Sequence, residues 1–385
     1  MTENIRYHVS NPENNQSDGY KEFSTIDFVL DATGRELVPN SIRLEADIQV
    51  NSTGNTPVDL LDKGHATVSY PRIQLDPQTG AHCLFESFQV VLPSSMGLIH
   101  NANEYPRYVK MMAKGQYSLD DYYSADLVSE LRCSRGDVAP AMITEQVKGG
   151  TEAGGETKEL QNFCIKPMIA INQTSGGNYS FDKMGAIRIS MNLARNNQAF
   201  HGTHMTVDVN YVLTNVRLRY ITIADQGKQN KMICNAYSVI KNTIISNNAE
   251  VSTSVPANAV GGVSISFLES SSQNNPVKNS HALEKYPSFK EVSYQFQDAT
   301  NQYISYTIRS LTDALTKGLE GLRSQSHHEI NPNNYASNDG MVLGLDFNGQ
   351  FVDLTKNKFA INIKSERDIG TYFIYLYFHS LVVLG

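Results

Sequence analysis

Arg135-Gly136-Asp137 is the sharpest short chemical signal in the chain, since on an exposed loop this tripeptide can engage an integrin-type receptor. Three residues also recur by chance, so the triplet marks a candidate receptor loop and nothing catalytic. His201 and His204 stand three apart beside Gly202, a spacing that could clip a metal ion, but no third ligand is near. A surface turn ahead of a strand is the better account of them. His327-His328-Glu329 falls in a polar stretch with the same deficit. Asp120 and Asp121 could act as an acid and base pair, yet acidic residues ahead of a helix start are explained by the helix dipole.

Other chemistry is excluded by spacing. The stretch from Gly149 to Lys158 (GGTEAGGETK) is rich in glycine, but no Lys-Ser or Lys-Thr follows as a phosphate loop requires. Gly262-Val263-Ser264-Ile265-Ser266 lacks the closing glycine of a nucleophile elbow and sits inside a strand pattern. The cysteines, Cys83, Cys133, Cys164 and Cys234, include no CxxC pair and read as reduced, buried small side chains. Asn15, Asn51, Asn172 and Asn178 open formal glycosylation sequons, read as unused in a chain without a leader. No catalytic, cofactor or metal constellation is expected, so the chain reads as a protein that is not an enzyme.

The elements that would carry these residues are mostly strands. Ile42, Leu44, Ala46, Ile48 and Val50 alternate with Arg43, Glu45, Asp47 and Gln49, which puts an apolar and a charged row on opposite faces. Alternation returns from Ile187 to Leu193 and from Met205 to Leu213, then changes parity across Thr214-Asn215 before Val216, Leu218 and Tyr220. Such a change requires a bulge or turn. Further strands are read at 263–267, 294–296, 303–308, 343–347 and 359–363. The run YFIYLYFHSLVVL (Tyr372 to Leu384) suits a central strand covered on both faces.

Helices are expected at 96–113, broken or kinked by Pro106, and at 124–132. A third is expected where Leu311, Leu315, Leu319 and Leu322 recur, with Ser310 and Asp313 as a capping start and the apolar stripe packed on a sheet edge. Residues 1–22 are polar and Asn-rich and read as an extended or disordered arm, with order beginning near Phe23. A long exposed excursion spans roughly 115–162.

Composition narrows the class. The 385 residues carry 32 basic and 39 acidic side chains, a net charge of −7, with no basic cluster to coat phosphate backbones. The 40% hydrophobic content supports real cores and excludes global disorder. No run is long enough to cross a bilayer as a helix, and the N-terminus has no apolar leader segment, so a soluble protein made in a reducing compartment is expected.

The two halves end alike. FDKMGAIRISMNLARNN is followed by HMTVDVNYVLTNVRLRYITI, and DLTKNKFAINIKSERD by GTYFIYLYFHSLVVL. Each has an aspartate and lysine, an alternating strand, a polar loop and a long last strand. The polar stretch 224–231 separates them. The pattern predicts an all-β chain of two similarly built β-barrels in tandem, residues 23–225 and 226–385, the first enlarged by the excursion, with a few short helices in connecting loops.

HCLFESFQVVLPSSMGLIHNANEYPRYVKMM (His82 to Met112) resembles a segment of double jelly-roll major capsid proteins, and TYFIYLYFHSLVVL is similar to their last strand. These are proteins of tailless icosahedral viruses in the lineage of PRD1 and adenovirus. The resemblance implies that the chain folds as two tandem eight-stranded antiparallel jelly-roll barrels, and that it forms homotrimers in which six upright barrels make a pseudo-hexagonal tile of an icosahedral shell. It further implies neighbouring capsomers, penton and minor capsid proteins as partners and an internal membrane beneath the shell. Sequence-specific nucleic-acid binding is not implied. The location would be the virion, after synthesis in the host cytoplasm. The alternatives are a vertex (penton) or minor capsid protein with one jelly roll plus a second β-domain, a receptor- or glycan-binding β-sandwich and, last, a β-sandwich hydrolase.

Overall fold

A computed structural model describes residues 4–52, 75–92, 97–116, 129–132, 161–202, 209–227, 231–286, 289–297, 302–322, 335, 339–366 and 370–384. The first half contains β1 (Arg6–Ser10), β2 (Thr25–Leu30), β3 (Arg35–Leu37), β4 (Arg43–Ser52), β5 (Phe85–Leu92) and β6 (Gly97–Ala102). It continues with β7 (Gln161–Ile165), β8 (Thr174–Gly176), β9 (Tyr179–Ser180), β10 (Ile187–Leu193) and β11 (Val209–Ala224). The second half contains β12 (Met232–Ile244), β13 (Asn248–Thr253), β14 (Val260–Glu269), β15 (Phe289–Gln297), β16 (Gln302–Ile308), β17 (Leu343–Asp346), β18 (Lys358–Ser365) and β19 (Tyr372–Leu384).

Strand pairing gives both halves one plan. In the second half the sheets run β12-β19-β14-β17 and β13-β18-β15-β16. Numbering those eight strands B to I in chain order, the sheets are B-I-D-G and C-H-E-F. The first half repeats this with β1-β11-β4-β7 and β2-β10-β5-β6, all antiparallel. Its additions are local: β3 extends the sheet along β11, and β9 pairs with β3. Two eight-stranded jelly rolls therefore stand in tandem, and the matching ends read in the sequence are the H and I strands of each.

The alternation drives this. Leu44, Ala46, Ile48 and Val50 are fully buried, while Arg43, Glu45, Asp47 and Gln49 lie on the outer face. The parity change sits where it was expected, with the pairing of β11 to β4 shifting between Thr214 and Arg217 and Asn215 in the left-handed region at φ 51°. β19 is central and buried on both faces from Ile374 to Phe378.

Two expectations need correction. Order begins well before Phe23: residues 6–10 form strand B of the first barrel, with Tyr7 opposite Ile221. The second concerns 96–113, which is β6 followed by α1 (Tyr105–Gln116). Pro106 lies in the first turn of α1, where its missing N–H costs nothing, and so it starts the helix instead of breaking it. The third helix, α2 (Leu311–Gly321), starts as expected, with the Ser310 hydroxyl accepting from Asp313 N–H at 3.1 Å. It packs on the edge strand β17, but glycine carries much of the contact. A Cβ on Gly318 would lie 2.1 Å from the Val342 carbonyl oxygen. The 124–132 helix and the 115–162 excursion lie largely outside the described residues. Cys83, Cys164 and Cys234 are free thiols.

Candidate functional site

The densest chemistry among the described residues lies in the seam between the barrels, and α1 builds it. Arg107, Lys110 and Lys114 recur at spacings of three and four, which lines them along one helical face. All three are buried, at 1%, 0% and 4% exposure. Burying three cations is costly unless each is paired.

Each is. Lys110 Nζ donates to Asp76 Oδ2 at 2.5 Å and to Asp339 Oδ2 at 2.8 Å, joining a carboxylate from each half. Lys114 donates to the Asp339 carbonyl and lies 3.3 Å from its carboxylate. Arg107 donates to the carbonyls of Ala282 at 2.6 Å and Ser280 at 2.5 Å, with its guanidinium 4.3 Å from the centre of the Tyr375 ring. The other Asp76 oxygen accepts from Gln78 N–H, Thr79 N–H and the Thr79 hydroxyl, each at 3.0 Å, and Asn279 from the second half donates to Oδ2.

The electrostatics follow from this packing. Burial opposes the charge on Asp76, but Lys110 outweighs it and holds the carboxyl far below the usual range. Burial likewise opposes the charge on Lys110, and Asp339 and Asp76 outweigh it, so its pKa rises. His281, beside the cluster, is driven down to about 3 by burial and then by Arg107. His82 and His100 fall to about 4, both chiefly through burial.

An aromatic layer completes the seam. Tyr108 stacks on Tyr237 with ring centres 3.8 Å apart, and Tyr377 lies 5.7 Å away. The Tyr377 hydroxyl donates to the Glu104 carbonyl at 3.0 Å. The first half also reaches across by backbone, because β8 pairs with the edge of β12 at Ile233 and Cys234. The chain follows with Gly177 at φ 80°, where a Cβ would stand 2.0 Å from the Lys231 carbonyl oxygen; only glycine allows that approach.

The site residues read from the sequence fare differently. Arg135, Gly136 and Asp137 lie outside the described residues, as do Asp120, Asp121, His204, His327, His328 and Glu329. His201 lies near His281 and Asp76, where burial lowers its pKa to about 4. Among the described residues no group of three or more His, Cys, Asp or Glu could hold a metal ion. Ser264 is buried in β14 and shares a 2.8 Å hydrogen bond with His379. Sequence reasoning passed over the seam because Arg107, Lys110 and Lys114 look like an ordinary solvated helix face. The signal was there, as that row sits on a helix whose other positions are Tyr108, Val109, Met111 and Met112.

The arrangement joins the two barrels through buried ion pairs, carbonyl contacts and stacked tyrosines. No protein-family model matches the sequence, and no curated protein does. Solved structures do. PBCV-1 VP54, fitted into a reconstruction of the virophage Sputnik, matches all of this chain and 96% of its own, with TM-score 0.57 and 9% identity. The Faustovirus major capsid protein matches 99% of this chain and 90% of its own, at 0.56 and 8%. The mavirus major capsid protein matches 98% and 88%, at 0.53 and 8%. The chain has the double jelly-roll fold. At such identities what is shared is the strand plan.

Proposed function

We propose that this double jelly roll is a major capsid protein, assembling as trimers whose six barrels form a pseudo-hexagonal tile of an icosahedral shell. The observation that carries the reading is the repetition of one B-I-D-G and C-H-E-F plan in both halves, joined by a buried seam. Three rigid two-barrel units then present six near-equivalent walls, the symmetry a flat tile needs. The capsid proteins of Faustovirus and mavirus, which share the fold over nearly their whole length, support it. The role is structural, without turnover, and its location is the virion.

Assembly here rests on many contacts, each weak enough to permit correction and together strong enough to hold a shell. Neighbouring capsomers, penton and minor capsid proteins, and a lipid layer beneath the shell belong to the same proposal. Cryo-electron microscopy of particles containing the chain tests it. Density for it across the facets supports the reading, and density confined to five-fold vertices overturns it in favour of a vertex protein.

A further inference from the structure

Away from the seam, the bulge of β11 borders a cleft of about 720 Å³, within the range that holds a small organic ligand. All its lining residues belong to the first barrel and the chain leading into it, and most carry amides or hydroxyls. Asp47 of β4 pairs with Asn162 of β7 on one side and Thr214 of β11 on the other, so the three share the face turned away from the core. The bulge adds Asn215, whose left-handed backbone at φ 51° turns its side chain toward the same carboxylate.

These groups form an ordered polar row. Asp47 Oδ1 accepts from the Asn162 amide at 3.0 Å, and Oδ2 accepts from the Asn215 amide at 2.6 Å. An amide that spends one N–H in this way still has a second N–H and a carbonyl to offer. The Thr214 hydroxyl is buried and has no hydrogen-bond partner among the described residues, where such a group normally has one. Charge is balanced close by: Glu45 takes Arg217 and Arg219, each at 2.9 Å, so with Asp47 two acids face two bases.

The opposite wall is the chain from Asn11 to Tyr20, and it is tied down. The Asn14 amide donates to the Thr25 carbonyl at 2.7 Å, the Tyr20 hydroxyl donates to the Asn14 carbonyl at 3.2 Å, and Tyr20 and Leu213 exchange backbone hydrogen bonds at 2.8 Å. This wall contributes Asn11, Asn15 and Gln16, while Pro12 and Val216 add apolar surface. A site fixed in this way loses little freedom on binding. Its ligand must be hydrophilic, uncharged, and able to donate and accept at neighbouring atoms. Saccharide hydroxyls do both, and the C–H face of a sugar ring suits Pro12 and Val216. We propose that this cleft binds a neutral saccharide, with Asp47, Thr214 and Asn215 hydrogen-bonding its hydroxyls. The site is built within one chain and rests on neither the trimer nor the shell.

Saturation-transfer difference NMR of the purified full chain tests it, with the methyl glycosides of glucose, galactose, mannose and N-acetylglucosamine as probes and N-acetylneuraminic acid and glucose 6-phosphate as charged comparators. At least one neutral glycoside should bind with a Kd of about 0.1–5 mM. Asn215→Gly, which keeps the left-handed backbone and removes the amide, should weaken that binding at least about 10-fold. Thr214→Val, which replaces an unpartnered hydroxyl by a methyl of the same shape, should weaken it at least about 3-fold without lowering Tm. Asn248→Ala, exposed at the start of β13, should leave it unchanged. Unchanged far-ultraviolet circular dichroism shows that the barrels persist, and should one bulge variant unfold, the other decides alone. Absence of binding by every neutral glycoside, binding by the charged sugars only, or full affinity in both bulge variants overturns the proposal. The capsid reading stands or falls separately, on where the chain lies in the particle.

Discussion

Replacing Asp76 by asparagine removes one charge from the seam and changes little in shape. Three donors reach Oδ1 at 3.0 Å, while Lys110 and Asn279 reach Oδ2. An asparagine that keeps its carbonyl toward Gln78 and Thr79 turns its NH2 toward an ammonium and a second amide, donor against donors. Flipped, it loses the three contacts on the other side. Lys110, fully buried, is left with Asp339 alone. Breaking a buried pair from one side costs about 3–5 kcal/mol. With an unfolding entropy of about 2 cal/mol/K per residue, the 385-residue chain loses about 4–6 °C in Tm. Lys110→Met should cost a similar amount by stranding Asp76. The double variant should cost at least about 2 kcal/mol less than the sum, because neither partner is then left buried and alone. Differential scanning calorimetry of the four proteins reads this cycle. A Tm for Asp76→Asn within about 1 °C of the parent, or strict additivity, refutes the view that the pair is buried and coupled.

Three further outcomes follow from particular contacts. His82, His100 and His281 have folded pKa values of about 4, 4 and 3, below the unfolded value near 6.5, so the unfolded chain binds more protons between those limits. Stability is therefore full above pH 6.5 and falls as the pH drops through 4 to 3, by roughly 3 kcal/mol each for His82 and His100 and roughly 5 kcal/mol for His281; a Tm that is flat from pH 7.5 to 5 contradicts this. Gly318→Ala, which helix propensity alone would make stabilising by about 1 kcal/mol, should instead destabilise by roughly 1–3 kcal/mol because the methyl meets the Val342 carbonyl, and urea unfolding gives the sign. Ser310→Ala should cost about 0.5–2 kcal/mol through loss of the α2 cap, read as a lower urea midpoint.

The fold was legible wherever a strand buries one face against its own barrel. β4, β10, β11 and β19 announce themselves by alternation, and the shared H and I endings exposed the duplication. β1 escaped because its apolar residues Tyr7 and Val9 point away from its barrel, and the Asn-rich flank masks so short a run. β6 was taken into a helix because Leu98 and Ile99 precede a true helix closely, and only pairing with β5 separates them. The seam was harder still. Its cations are satisfied by Asp339 and by the carbonyls of Ser280 and Ala282, over 170 residues away in sequence, which local periodicity cannot reveal.

The most direct test of the whole account is the mass and outline of the purified chain in solution. Native mass spectrometry with negative-stain imaging should give three times 42.8 kDa and a hexagonal silhouette of six similar lobes. A five-fold ring, or a lone two-lobed particle at every concentration, would contradict it.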